Sequence, residues 1–398
     1  MSPRTAAITG IGVVATCGIG LDAFWEGLAT DPGPRSQPLR IDAFDPTTWF
    51  GPKEVRRVDR FTQLAVAAAT MALDDAGMPR VSSHDEGLDV ARCGVMVATG
   101  VGGLASYDQE LRVLEERGAS RVSPFLIPML MPNAASAAVS LRFGWTGPCE
   151  TVTTACAAGT HGVANAARWI ETGRCDTVLA GASEGHPTPV GMAGFANMTA
   201  LSPTGRSRPF DLDRDGFVAS EGAAMLVLEE LDGARGRGAH VYAVIAGSAS
   251  NADAHHLTAP AEAGAGALAC MRLALDDAGL SPDDVAHVNA HGTSTPRNDA
   301  AEAAALSALF GRPGPAVTSI KGVIGHSFGA AGALEAAAAA LTIDRGAIPP
   351  TAGLHNLDPA IELDVVTGGW RTFEPGPVVS NSFAFGGHNG CLVLVPPS

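Results

Sequence analysis

CAAGTHGVANAARWIETG, residues 156–173, and HSFGAAGALEAAAAALTIDRG, residues 326–346, read as one structural unit used twice. Each begins on small residues, opens a helix and closes at a glycine. Each also carries a glycine three residues after its first position, Gly159 and Gly329. Glycine there lets two backbones approach closely at a crowded place. The repetition extends outward. TMALDDAGMP (70–79) returns as MRLALDDAGLSP (271–282), each ending a helix at Gly. Each copy is followed by a charged loop and a short buried strand, within RCGVMVATGVGG (92–103) and AHVNAHGTST (286–295). Three matches in one order predict a duplicated α/β chain, divided at 1–237 and 238–398. On this alignment Cys156 and His326 are equivalent, each in the first turn of a core helix. Two such helices meeting near a pseudo-two-fold axis bring thiol and imidazole together.

That expectation supplies chemistry. A thiol attacks as its thiolate, and a helix N-terminus favours negative charge, so Cys156 is expected to be an activated nucleophile. His291 in NAHGTSTPRNDAAEAAAL (289–306) and His326 in SIKGVIGHSFGAAGALE (319–335) each end a strand in a Gly-flanked loop. Such loops are where α/β proteins place their sites, and two neutral imidazoles there can donate to an oxyanion or enolate. Lys321 and Glu302, if buried, need one another or the histidines as partners. NSFAFGGHNG (381–390) reads as a Gly-rich turn between strands. Its backbone N–H groups suit an oxyanion, and Phe385 suits a gate over an apolar pocket. TGIGVVATCGIG (9–20) lacks the spacing of a dinucleotide loop.

Bulk composition bounds the rest. The chain has 398 residues, 46% apolar and 17% charged, which describes a globular protein. A net charge of −15 argues against nucleic acid as the main partner. The seven cysteines show neither CxxC pairs nor metal-ligand spacing, so no metal site is expected and a reducing cytoplasm is. MSPRTAAITGIGVV shows no signal-peptide pattern. The uncharged stretch from Val122 to Leu141 carries Pro124, Pro128 and Pro132, which rules it out as a spanning helix.

TACAAG around Cys156, NAHGTSTPRND around His291, KGVIGH ending at His326 and NSFAFGG containing Phe385 resemble the β-ketoacyl synthase family, of its elongating Cys-His-His kind. SRPFDLDRDGFVASEGA (207–223) and DAHHLTAP (253–260) extend the resemblance over the whole chain. It implies the thiolase fold: duplicated αβα halves forming a five-layered αβαβα core. It implies that Cys156 takes an acyl chain from an acyl carrier protein as a thioester. His291 and His326 then assist decarboxylation of a malonyl unit carried on phosphopantetheine, with no cofactor. The N–H groups of Cys156 and Phe385 form the oxyanion hole, and Lys321 and Glu302 form the supporting pair. Thr293 and Thr295 bind the pantetheine arm, and Phe195 and Phe385 line the acyl pocket. KEVRR (53–57) matches a basic helix start that meets acidic carriers, through Lys53, Arg56 and Arg57.

Departures from the family pattern also carry meaning. The 40–61 segment is shorter than in fatty-acid enzymes, and Thr199 stands where those often have a basic residue. DRFTQLAVAAA (59–69) is similar to polyketide synthases, whereas GGHNG, with His388, is nearer the fatty-acid pattern. The first expectation is therefore a type II polyketide ketosynthase paired with a chain-length homologue. The alternative is a housekeeping condensing enzyme of fatty-acid synthesis acting as a homodimer. A non-catalytic chain-length subunit is disfavoured by Cys156. A thiolase is disfavoured because Cys391 lacks the second-cysteine motif, and an initiating synthase because it carries Asn at the His326 position.

Overall fold

The computed structural model describes residues 4–80 and 88–397. The charged loop expected after the first ALDDAG, at 81–87, and the first three residues of the chain lie outside the described residues.

Repetition in the sequence becomes repetition of topology. The first half contributes β1 (Ala6–Ala15), β2 (Cys93–Ala98), β3 (Cys149–Glu150), β4 (Thr177–Glu184) and β5 (Gly222–Glu230). The second contributes β6 (Ala243–Ala252), β7 (His287–Asn289), β8 (Ala316–Thr318), β9 (Val378–Ala384) and β10 (His388–Val395). From the centre outward the first half runs β1-β5-β4-β2-β3 and the second β6-β10-β9-β7-β8. In each, the two innermost pairings are antiparallel and the two outermost parallel. The halves join where β1 meets β6 through Ala6↔Ile245, Ala7↔Val244 and Ile8↔Ala243. Thus the two sheets of the expected five-layered fold form one hydrogen-bonded path.

Helices α1 (Arg60–Asp75) and α2 (Ala134–Phe143) cover the outer face of the first half, α1 on β1, β5 and β4 and α2 on β2. Helices α4 (Ala265–Ala278) and α5 (Pro296–Phe310) cover the second half, with α4 on β6 and β10. The ALDDAG repeats close α1 and α4, with left-handed Gly77 and Gly279 just beyond them. Between the halves lie α3 (Ala158–Glu171) and α6 (Ala331–Arg345). Each packs on its own half and reaches the other, α3 onto β10 and α6 onto β5.

The expected register of these two helices is wrong by three residues. Each is preceded by a 3-10 turn, Ala155–Ala157 or Phe328–Ala330. The first residue of each turn has positive φ, 50° at Ala155 and 48° at Phe328. Cys156 is therefore the counterpart of Gly329, and Gly159 of Gly332. His326 lies ahead of its turn, in a one-residue bridge to Ala219. HSFGAAG offers two glycines, Gly329 and Gly332, and the second is the counterpart of Gly159. Steric contact shows which is right. A Cβ on Gly159 would lie 2.6 Å from Ala333 N, and one on Gly332 2.5 Å from Thr160 N. The glycines permit a reciprocal backbone contact at the pseudo-two-fold axis.

A second correction concerns KEVRR. It forms a 3-10 turn at Val55–Arg57, and the helix begins only at Arg60, capped by Asp59. Pro132 lies between two short helices, Leu126–Leu130 and α2. Among the described residues no helix is long and apolar enough to cross a membrane.

Gly332→Ala should lower stability by about 1–3 kcal/mol, the usual cost of forcing extra volume into a packed core. Gly194→Ala, with nothing within 4 Å of the added methyl, should not. Thermal denaturation of both variants checks this, and equal melting temperatures would contradict the reciprocal contact.

Candidate active site

Cys156 sits in the turn before α3, and the backbone N–H groups of Phe385 and of Cys156 itself are directed at its sulfur. Phe385 is delivered by the β9–β10 hairpin, whose strands pair down to Ala384↔His388. Gly386 and Gly387, both at positive φ, complete that tight connection. His326 arrives from the second half. Its N–H donates to Val218 O at 2.7 Å and its carbonyl accepts from Ser220 N at 3.0 Å, which fixes the ring's position. Its Nε2 lies 3.1 Å from Cys156 Sγ. Thiol and imidazole do meet, although by a route other than equivalent positions.

His291 follows β7. Its own N–H and that of Gly292 donate to the two oxygens of Glu302, each at 2.8 Å. The two imidazoles lie with ring centres 5.6 Å apart at 86°. Lys321 Nζ lies 3.3 Å from His291 Nδ1 and donates to His291 O at 2.6 Å. Its counter-ion is Glu335, in a fully buried ion pair. Lys321 and Glu302 are thus not each other's partners. Glu302 shapes the His291 turn, while Lys321 and Glu335 sit behind its ring.

Cys156, His291, His326, Thr293, Thr295, Glu302, Phe195 and Phe385 line one cavity of about 450 Å³. The Thr293 and Thr295 hydroxyls are 2.9 Å apart. Phe195 stacks on Phe328 at 5.0 Å, and Phe328 stacks on His326 at 5.2 Å. Phe217 meets both phenylalanines and His326 edge-on. An aromatic wall therefore runs from the thiol's partner into the cavity. Thr199 also lines it, whereas Lys53, Arg56 and Arg57 are exposed outside it. Arg57 lies over the ring of Phe125 at 4.7 Å.

Models of the β-ketoacyl synthase N-terminal and C-terminal domains match residues 34–234 and 242–355. The chain belongs to the β-ketoacyl synthase family. A Synechocystis protein named 3-oxoacyl-[acyl-carrier-protein] synthase 2 is 39% identical over 99% of this chain and 98% of its own. Among solved structures, the ishigamide ketosynthase/chain length factor superposes with a TM-score of 0.92 at 34% identity, covering 100% of both chains. A type II polyketide ketosynthase bound to the hexaketide, in complex with its acyl-carrier protein, gives 0.90 at 28%, again over 100% of both. The chain is an enzyme of the β-ketoacyl-[acyl-carrier-protein] synthase type, with the thiolase-like ketosynthase fold.

In this synthase the electrostatics correct one expectation. Burial pushes the Cys156 thiol up to about 12 and outweighs the lowering by Lys321 and by the two N–H groups. The resting sulfur is a thiol, not a helix-tip thiolate, because desolvating an anion costs more than the turn's dipoles return. Glu184 adds to the effect with its own charge. This buried carboxylate accepts from Gly100 N at 2.6 Å, Gly329 N at 3.1 Å and Thr99 Oγ1 at 3.1 Å, tying the first half to the turn after His326. Burial first, and Lys321 second, hold His291 and His326 well below the ordinary histidine range. Both rings are neutral near pH 7. With Lys321 against Nδ1, the His291 proton sits on Nε2.

Sequence reasoning missed Glu335, Glu184, Phe217 and Phe328. Glu335 did leave a signal, as the one carboxylate amid AGALEAAAAAL.

Iodoacetamide alkylation of Cys156 should speed up about tenfold per pH unit between roughly pH 7 and 10, because only the thiolate reacts. Intact-mass kinetics measure this, and a rate that levels off below about pH 8 would restore the helix-tip thiolate.

Proposed function

We propose that this chain condenses a malonyl unit borne by an acyl carrier protein with an acyl chain held on Cys156. The observation that carries the reading is the convergence of Cys156, His326 and His291 on one cavity with two N–H groups at the sulfur. In acyl transfer, Nε2 of His326 accepts the thiol proton as Sγ attacks the thioester carbonyl, then returns it to the departing pantetheine sulfur. The N–H groups of Cys156 and Phe385 hold the oxyanion. In condensation, the bond between the malonyl carboxylate and its α-carbon breaks and carbon dioxide leaves. The electron pair is held as an enolate facing Nε2–H of His291 and of His326. Nδ1 of His326 has no hydrogen-bond partner among the described residues, which leaves the ring free to take either tautomer, so that Nε2 serves as acceptor in one step and donor in the other. The carbanion attacks the acyl carbonyl, the C–S bond breaks and Sγ departs as the thiolate. The thiolate takes the Nε2 proton of His326, 3.1 Å away, and solvent returns a proton to the ring. Loss of carbon dioxide drives the step, so the chemistry calls for no bound metal or cofactor. The hydroxyls of Thr293 and Thr295 suit the amides of the pantetheine arm.

Two finer readings compete. The curated relative supports a 3-oxoacyl synthase of the fatty-acid type acting as a homodimer better than it supports the polyketide reading placed first from sequence. The polyketide reading, with a chain-length homologue as partner, keeps support from the ishigamide ketosynthase/chain length factor at 34% identity. Either reading supplies a second chain. In the first half the sheet ends at β3, exposed along both residues, and Leu111, Leu114 and Ile127 of the same half are exposed apolar side chains. Both are readings of a cytoplasmic enzyme, in keeping with seven free cysteines and no spanning helix among the described residues.

The purified chain, given malonyl- and acyl-carrier protein, should release condensed product by mass spectrometry. Product from this chain alone favours the homodimer, and product only after adding a homologous subunit favours the pair. Cys156→Ala should abolish condensation in both formats, and retained turnover would refute the assignment.

Replacing Lys53, Arg56 and Arg57 together by Ala should raise KM for carrier-borne substrates and flatten its dependence on salt, with kcat unchanged. An unaltered salt dependence would remove that turn from the carrier surface.

A further inference from the structure

One buried histidine beside the nucleophile takes no part in the chemistry above. His161 lies on α3, outside the residues lining the cavity, so it touches neither substrate nor sulfur. Both of its ring nitrogens are used. Nδ1 is 2.8 Å from Thr154 Oγ1, and Nε2 is 3.0 Å from Asn389 O. A carbonyl only accepts, so Nε2 carries the proton and Nδ1 accepts from the threonine hydroxyl. Thr154 stands two residues before Cys156, ahead of Ala155 at its positive φ of 50°. Asn389 stands on β10 of the other half, four residues after Phe385. Its side chain is held in turn by Asn251 Oδ1 at 2.9 Å and Asp253 Oδ1 at 2.7 Å. β10 closes directly onto the ring, since a Cβ on Gly390 would lie 2.9 Å from His161 Cδ2 and Nε2. One planar side chain therefore spans from the nucleophile's turn to the strand that bears the Phe385 loop.

We infer that His161 is a positioning residue that sets the spacing between the Cys156 and Phe385 N–H groups. This rests on the proposed reaction, in which those two donors hold the oxyanion. They come from different halves of the chain, so a rigid link between the halves keeps them at one separation. Such donors work only within a few tenths of an ångström of the charge they face. The left-handed backbone of Ala155 needs its surroundings to hold it, and the Thr154 bond supplies part of that hold. Because the ring stays out of the cavity, its loss should weaken the chemical steps and spare substrate binding.

His161→Ala should lower kcat about a hundredfold, the usual cost of misplacing reacting groups by roughly 1 Å, while KM for acyl- and malonyl-carrier protein stays put. His161→Gln, whose amide N–H can reach Asn389 O, should recover more turnover than His161→Asn, whose shorter amide serves only the Thr154 side. Should His161→Ala fail to fold, Thr154→Val removes one arm with an isosteric side chain and should also lower kcat at constant KM. A kcat within about twofold of wild type for His161→Ala, or for Thr154→Val where His161→Ala does not fold, would overturn the inference. So would a loss confined to KM, or equal activity of the Gln and Asn variants. Wild-type protein is run alongside with intact-mass detection of acyl-Cys156. If wild type takes no acyl group, the parent reading fails. If it does and the variants match it, only the role of His161 fails.

Discussion

The structure depends on two helices touching backbone to backbone. Where α3 crosses α6, Gly159 faces Ala333 and Gly332 faces Thr160, with no room for a methyl group at either glycine. This closeness brings the turns ahead of the helices together, and so brings Cys156 within 3.1 Å of a histidine from the other half. The contact recurs nearby. A Cβ on Gly329 would lie 2.1 Å from Gly100 N, and Thr160 Oγ1 bonds Ser382 Oγ on β9 at 2.8 Å. The alanine-rich sequence of α6 follows from the same constraint. A helix buried on all sides between two sheets takes small side chains where its neighbours come closest. Backbone packing at the axis thus determines the distance over which a proton moves.

That packing also sets the electrical character of the site. Burial is the largest influence on the thiol and on both imidazoles and favours the neutral form of each. Behind the His291 ring Lys321 and Glu335 form a fully buried pair, and Glu302 holds the His291 turn through two backbone N–H groups. A buried pair of this kind contributes little net stability, although losing one partner costs about 3–5 kcal/mol. Its use here is orientation. Lys321 directs His291 so that a donor nitrogen faces the cavity, and its charge adds to burial, the larger effect, in disfavouring imidazolium at both rings. A neutral donor opposite a developing enolate gives stabilisation that exists only once the charge appears, which is the condition for accelerating a chemical step.

Much of this was legible in the sequence, and the failures share a cause. Order and repetition survive in a one-dimensional string, so the duplication and the three residues Cys156, His291 and His326 could be read from it, while the strand order could not. What could not be read was competition between effects that depends on three-dimensional packing. Two glycines in HSFGAAG fit the repeat equally well, and only the backbone contact picks Gly332. A helix start after Cys156 suggests a thiolate, but burial of the sulfur outweighs that dipole. Lys321 and Glu302 are expected to need one another or the histidines, and both do reach His291, although not each other. Glu335, hidden in an apolar helix, is the residue that reaches Lys321. KEVRR has the composition of a helix start, yet Asp59 caps the helix one turn later.

The question of pathway has a structural counterpart. The chemical groups sit on the pseudo-two-fold axis inside one chain, where the duplicated fold leaves little freedom. A ketosynthase bound to a hexaketide and a ketosynthase with a chain length factor accordingly superpose on this chain with TM-scores of 0.90 and 0.92. On the proposed function, selection among acyl chains then falls to the cavity walls. Here Phe195, Phe217 and Phe328 form a continuous aromatic surface that begins at His326 itself. Phe328 is held there at a φ of 48°, an uncommon conformation for a bulky residue. It belongs to the same 3-10 turn that brings Gly329 against the first half. The wall beside the thiol is therefore fixed by the fold's central contact.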